Sequence, residues 1–149
     1  MRSVVQRVKR AKVTVDNEII GSIDHGIMLL FSVEDNDEEK DLEYMCDKVV
    51  NLRIFEDDDG KMNKSLVDVK GSILVVSQFT LHGDARKGRR PSFITAARPE
   101  KAIPLYEKFI QNMKDQGINT QTGKFGADMQ VELVNDGPVT ILLDSKKVF

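Results

Sequence analysis

A few short stretches of this sequence hold residue types that could do chemistry. Gln78, Thr80 and His82 fall on one face if the strand-like run of residues 72–81 stays regular through them, because side chains alternate along a strand. A Thr80–His82 nucleophile and base pair is one reading of that spacing. Two polar residues closing a strand is the commoner arrangement, and a shared face does not aim a ring nitrogen at a hydroxyl. The second stretch is Asn135-Asp136-Gly137-Pro138. Gly-Pro between two strands breaks their pairing, since proline has no N–H to donate. A trans turn is the ordinary case; a cis bond would aim the Gly137 carbonyl where a trans chain cannot.

Other chemistries fail on their spacing. Asp57-Asp58-Asp59-Gly60 resembles part of a calcium loop, but aligning Gly60 with that loop's glycine puts Phe55 and Leu66 at its first and last ligand positions. A solvated hairpin turn fits it better. Gly83 and Gly88 have the separation of a Walker A loop, yet Arg89 and Arg90 stand where Lys and Ser or Thr are required. What remains is a basic cluster, Arg86, Lys87, Arg89 and Arg90. It reads either as an ordinary solvated loop or as a docking site for backbone phosphates. There is no Gly-x-Ser-x-Gly, Ser-x-x-Lys or His-Glu-x-x-His motif. One cysteine and two histidines exclude an internal disulfide and argue against a Cys/His zinc site. No metal or cofactor is expected.

The elements that must position these residues are readable from pattern. Residues 3–15 alternate Val with Arg and Lys and predict a strand. Asp16-Asn17 offers a turn, and residues 18–23 a second strand. Residues 26–33 are continuously apolar, as in a strand buried on both faces. Leu42, Met45, Cys46, Val49 and Leu52 recur at helical spacing, with Asn36 as N-cap and Glu39 closing a capping box. Cys46 on that stripe reads as core, and His25 as surface. A second helix is predicted from Pro99 to a stop at Gly117, with Pro104 in or near its first turn. Residues 82–98 read as a long loop. Residues 129–134 and 139–143 predict two strands joined by a tight turn.

The chain of 149 residues fits one domain, 1–149, with no linker or repeat. The fold class is α+β, a mainly antiparallel, barrel-like sheet with two helices packed on it. The net charge of −2 excludes a globally basic nucleic-acid coat protein but not a local basic patch. No apolar run approaches a membrane span and the N-terminal residues lack a signal-peptide pattern, so a cytoplasmic location is expected.

Taken together, the motifs resemble the D-aminoacyl-tRNA deacylase family. The resemblance runs through Gln6-Arg7-Val8, Arg53-Ile54-Phe55, Gly60-Lys61-Met62-Asn63, Ser77-Gln78-Phe79-Thr80-Leu81, Arg90-Pro91-Ser92-Phe93, residues 119–129 and Asn135-Asp136-Gly137-Pro138-Val139-Thr140. Any one of these is weak; their common order and spacing is specific.

The resemblance implies hydrolysis of the ester between a D-amino acid, or glycine, and the 3′-terminal adenosine of tRNA. It implies a homodimer with active sites at the interface. Ser77, Gln78, Phe79 and Thr80 of one subunit would form the catalytic segment. A cis Gly137-Pro138 of the other would reject L side chains by occupying their space. It further implies attack by water assisted by the terminal ribose 2′-hydroxyl, with N–H groups near Phe79 and Thr80 holding the oxyanion. Arg7 would buttress the Gly-Pro turn. Phe125, Gly126, Ala127 and Met129 would line the adenosine or aminoacyl pocket. Arg86, Lys87, Arg89 and Arg90 would touch RNA phosphates. His82 departs from the family pattern, which counts against a shared Thr80–His82 dyad. Two other readings stand beside this one: a non-catalytic RNA-end or nucleotide-binding module of the same fold, and an esterase using Thr80 on a small ester.

Overall fold

The computed structural model describes residues 1–149. Strand β1 (Arg2–Val15) is the spine of the sheet, and three strands pair with it antiparallel: β2 (Glu18–Ile23), β3 (Gly26–Ser32) and β8 (Gln130–Asp144). Asp16 and Asn17 turn β1 into β2 with φ of 50° and 64°. Paired left-handed residues of this kind match the twist of a two-residue hairpin. The first half of β1 pairs β3 and its second half β2, while β8 runs along the other edge of both halves.

The sheet continues in parallel from β3 to β6 (Ser72–Ser77) and on to β7 (Thr120–Thr122). Parallel neighbours need crossovers, and the two helices supply them: α1 (Glu39–Asn51) lies between β3 and β6, α2 (Pro99–Asp115) between β6 and β7. The sheet curls nearly closed. A Cβ on Gly21 of β2 would lie 2.6 Å from the Thr122 carbonyl oxygen of β7, so only glycine fits there. β3 is buried on both faces, as its apolar run predicts. One face places Ile27, Leu29, Phe31, Ile73 and Val75 against Met45, Val49, Phe109 and Met113 of the helices. The other gathers Val8, Val13, Met28, Leu74 and Val76 inside the curl, where Met129 and Val131 partly cover them. No helix is long and apolar enough to cross a membrane.

Local expectations are corrected in four places. Helix α1 is capped by Glu38, not Asn36, and the Glu38 amide donates to Asp41 Oδ2 at 2.9 Å. Asp37 is drawn out of the helix by a 2.6 Å ion pair with the Met1 ammonium, so the helix starts later. Pro104 is the sixth residue of α2, past the first turn. Strand β6 ends at Ser77, and Phe79–His82 form a 3-10 turn. Finally, residues 130–144 are one strand rather than two.

The remaining signals hold. Gly117 has φ 76° and ends α2 with its amide on the Lys114 carbonyl, while Ile118 bonds Met113. That pair of bonds is a Schellman closure. Residues 57–60 turn a small hairpin between β4 (Phe55–Glu56) and β5 (Met62–Lys64). Asp57 there accepts the Asp59 and Lys61 amides and the Asn63 side chain, and its carboxyl is held below the usual range mainly by Asn63.

Candidate active site

The geometry around the end of β6 follows from lost pairing. The Gln78 amide still donates to the Phe31 carbonyl at 2.8 Å, but β3 stops at Ser32. With no partner to pair beyond it, the chain turns. Leu81 N–H donates to Gln78 O and Gly83 N–H to Thr80 O, at 3.3 and 3.0 Å. The first residues of such a turn, Phe79 and Thr80, have amides with no acceptor inside it.

Beside the turn lies a mostly apolar cavity of about 310 Å³. Ser77, Gln78 and Phe79 form one wall, and Phe125, Gly126, Ala127 and Met129 another. The cavity thus brings together Ser77, Gln78 and Phe79 of the expected catalytic segment and Phe125, Gly126, Ala127 and Met129 of the expected pocket lining; Thr80 does not line it. Sequence reasoning misses Phe31, Ala102 and Tyr106, which close the floor. These sit on the helix–sheet core stripe and look like packing in the sequence. The Tyr106 hydroxyl donates to the Val75 carbonyl at 2.9 Å, and burial pushes its pKa up, so it stays protonated.

Thr80 is exposed beside this cavity, and Gln78 Nε2 donates to its hydroxyl. His82 does not face it. Its ring is buried, and neither nitrogen has a hydrogen-bond partner. The expected common face of Gln78, Thr80 and His82 is lost because the strand becomes a 3-10 turn after Ser77. No nucleophile–base pair forms.

Gly137 and Pro138 are elsewhere on the same chain. Gln6 faces Thr140 and Val8 faces Asn135, so residues 136–139 bulge out opposite Arg7 alone. The Gly137-Pro138 bond is cis, and both residues are exposed. Gly137 has φ 126°, and a Cβ there would meet Val139 Cγ2 at 2.9 Å and Arg7 at 3.0 Å. Arg7 lies beneath, with a 6% exposed side chain. It donates to the Asp136 carbonyl at 3.1 Å and to the Ile54 carbonyl at 2.6 Å. Asn135 Nδ2 clamps the bulge by donating to the Arg7 and Val139 carbonyls. Ile54 and Asn135 are supports that sequence reasoning did not assign. The signal for Arg7 was available: it shares the odd-numbered parity of the buried Ser3 and Val5.

A separate hollow beside the bulge is lined by Arg7, His25, Phe55, Glu56, Val69 and Asp136, and has no residue in common with the first cavity. Met129 and Gly137 are on the order of 20 Å apart along an extended strand. One chain does not bring the two motifs together.

The basic loop is closed at its base by Asp84 and Ser92, whose amides and carbonyls pair both ways at 2.8 and 2.9 Å. Arg86 turns back onto Asp84 through bonds of 2.9 and 2.7 Å. That contact holds the Asp84 carboxyl far below its usual range. Lys87, Arg89 and Arg90 are exposed at the tip.

This arrangement has close counterparts. The family model for D-Tyr-tRNA(Tyr) deacylase matches residues 4–144. The chain belongs to the D-Tyr-tRNA(Tyr) deacylase family. It is 59% identical over 149 residues to the D-aminoacyl-tRNA deacylase of Clostridium kluyveri, covering 100% of both chains. It is 54% identical to that of Thermus aquaticus, over 99% of this chain and 97% of the relative. Among solved structures, the c-Myc DNA Unwinding Element Binding Protein superposes with a TM-score of 0.91 at 45% identity, over 97% of this chain and 98% of that one. A "probable eukaryotic D-amino acid tRNA deacylase" superposes at 0.81 with 17% identity, over 95% and 97%, which speaks to the fold alone.

Proposed function

We propose that this member of the family hydrolyses the ester joining a D-amino acid, or glycine, to the 3′-terminal adenosine of tRNA. The observation that carries the reading is the cavity: catalytic-motif residues and pocket residues face each other across an apolar space with no nucleophile–base pair in it. An aminoacyl ester is already activated, so a site that only orients it and stabilises charge is sufficient.

In this mechanism the ester carbonyl sits at the turn. Water, assisted by the ribose 2′-hydroxyl of the RNA, attacks the carbonyl carbon. The Phe79 and Thr80 amides receive the oxyanion. The C–O bond to the ribose 3′-oxygen then breaks, that oxygen takes a proton, and free amino acid and tRNA leave. Thr80 has no base and takes no covalent part.

Chirality is assigned to Gly137 and Pro138 of a second copy in a homodimer. The two motifs lie apart in one chain, and the bulge is exposed on a braced support, as a projecting part must be. A rigid backbone at the cavity mouth takes the space of an L side chain, while a D side chain or a glycine hydrogen avoids it. Lys87, Arg89 and Arg90 supply phosphate contacts; Arg86 is already paired. Because the charge is local, affinity should fall with salt by only a few contacts' worth.

Matched D-tyrosyl- and L-tyrosyl-tRNA, incubated with the purified protein, test the reading. Fast loss of the D ester alone supports it. Loss of both esters removes the Gly137 block. Loss of neither leaves a binding module. In the same assay Gly137→Ala should begin to alter the sparing of the L ester, since the added Cβ must displace Val139 or Arg7.

A further inference from the structure

We propose that Arg2 and His82 are positioning residues for the Phe79–His82 turn: Arg2 pins the turn through the Leu81 carbonyl, and a proton on buried His82 releases it. The proposal rests on the reading that this turn presents its amides to the ester.

Arg2 bridges three parts of the molecule. Its Nε donates to Asp144 Oδ2 at 2.9 Å, and that carboxylate is 4% exposed. With its orientation fixed from β8, its other nitrogen reaches the Leu81 carbonyl at 3.2 Å. The guanidinium also lies over the Phe149 ring, 5.9 Å from its centre. The turn has few other hydrogen bonds to the body of the protein. The Gln78 amide enters it from Phe31, and the remaining bonds at Leu81 and Gly83 are internal.

His82 closes the turn and is 3% exposed, with both ring nitrogens unpartnered. A neutral ring tolerates that as a largely apolar plug; an imidazolium does not, because it needs two acceptors. The charges that act on it come from every side. Arg2 on β1 and the Met1 ammonium disfavour a proton, and Glu34 and Asp37 after β3 favour one. Asp37 is already committed to Met1 at 2.6 Å and to Lys146 at 3.5 Å. Burial, then Arg2, hold the His82 pKa below its ordinary value of 6.5. The sign follows: His82 is neutral and the turn intact at pH 6.5 and above, and the arrangement is lost only as pH falls through the lowered pKa of the buried ring. A new cation there also repels the Arg2 guanidinium that holds the Leu81 carbonyl.

Two measurements on the full-length protein test this. The first is the NMR titration of the imidazole ring protons. The chain has only two histidines, and His25 is exposed, so His82→Phe assigns the signals. The expected result is a His82 resonance that titrates below the ordinary histidine value of 6.5 and shifts up in Arg2→Ala, which removes the adjacent cation. The second is the pH profile of kcat for D-tyrosyl-tRNA hydrolysis. Wild type should show an acid limb that moves to lower pH in His82→Phe. At pH 7.5, Arg2→Ala should lower kcat by about tenfold with little change in KM, and Arg2→Lys should partly restore it. A His82 that titrates normally, or is unmoved by Arg2→Ala, overturns the proposal. So does an acid limb unchanged in His82→Phe. An inactive wild type at pH 7.5 overturns the proposed function instead, while the NMR titration still decides the contact.

Discussion

Replacing Arg7 by methionine removes a buried guanidinium while keeping most of its volume. Two carbonyls lose their donor. The Ile54 carbonyl belongs to a 5% exposed residue and has no water to replace the bond, so it bears a full penalty. The Asp136 carbonyl lies on a bulge whose side chain is 27% exposed, so solvent recovers part of its loss. Hydrogen bonds from a charged donor contribute about 1.5–3 kcal/mol each. One full and one partial loss give about 2–4 kcal/mol. The contacts of Arg7 with Glu56 at 3.8 Å and Asp136 at 3.6 Å add little, because Glu56 is largely exposed. For a domain of this size the loss corresponds to a Tm lower by roughly 4–16 °C, with the fold retained. Arg7→Lys keeps the charge but has a single donor nitrogen for two separated carbonyls, and should lie between. Differential scanning calorimetry reads the stability, and paired D- and L-tyrosyl-tRNA assays read the chirality. The bulge should lose its brace, so L-ester hydrolysis should rise relative to D. A variant that melts with wild type, or that loses stability without any change in the D-to-L ratio, would falsify the argument that Arg7 holds the bulge in its working position.

Other outcomes follow from the same geometry. Thr80→Ala should keep a large part of the deacylase activity, since its hydroxyl only receives a bond from Gln78; single-turnover rates near the uncatalysed hydrolysis would instead make Thr80 the nucleophile. Lys87→Ala, Arg89→Ala and Arg90→Ala should each weaken tRNA binding and reduce its salt slope by about one unit, while Arg86→Ala does less because Asp84 already holds that charge; filter binding across a salt series separates them. Acid stability should depend on Asp41. Burial raises its pKa, but Lys146, the Glu38 amide and Ser145 outweigh that and hold it at about 2, below its ordinary 3.8. Its contribution is therefore complete above about pH 4 and lost as pH falls toward 2, and Lys146→Ala should flatten that part of the stability curve.

Much of this protein was legible in its residues. The hydrophobic alternation of β1, the continuous run of β3 and the stripes of both helices depend on local period, and period survives into the fold. Gly117 and the Asp16-Asn17 turn are equally local, because a positive φ is a property of single residues. The segments 77–79 and 125–129 could be singled out as motifs because each is contiguous, whereas Phe31, Ala102 and Tyr106 reach the same cavity only through the packing of the helices on the sheet.

What failed was whatever a distant contact decides. Asn36 was the better cap by type, but the Met1 ammonium took Asp37 and moved the helix start. The apolar run through Leu81 looked like strand, yet β3 ended first and the chain turned, which separated Thr80 from His82. The Gly-Pro segment looked like a turn between strands, whereas β1 pairs with both of its sides and leaves a bulge over Arg7. Backbone polar groups must be paired wherever water is absent. The sequence alone determined which segments could pair and which faces were apolar. Only the tertiary structure decided where each partner ran out, and those endings position the turn, the bulge and the arginine beneath it.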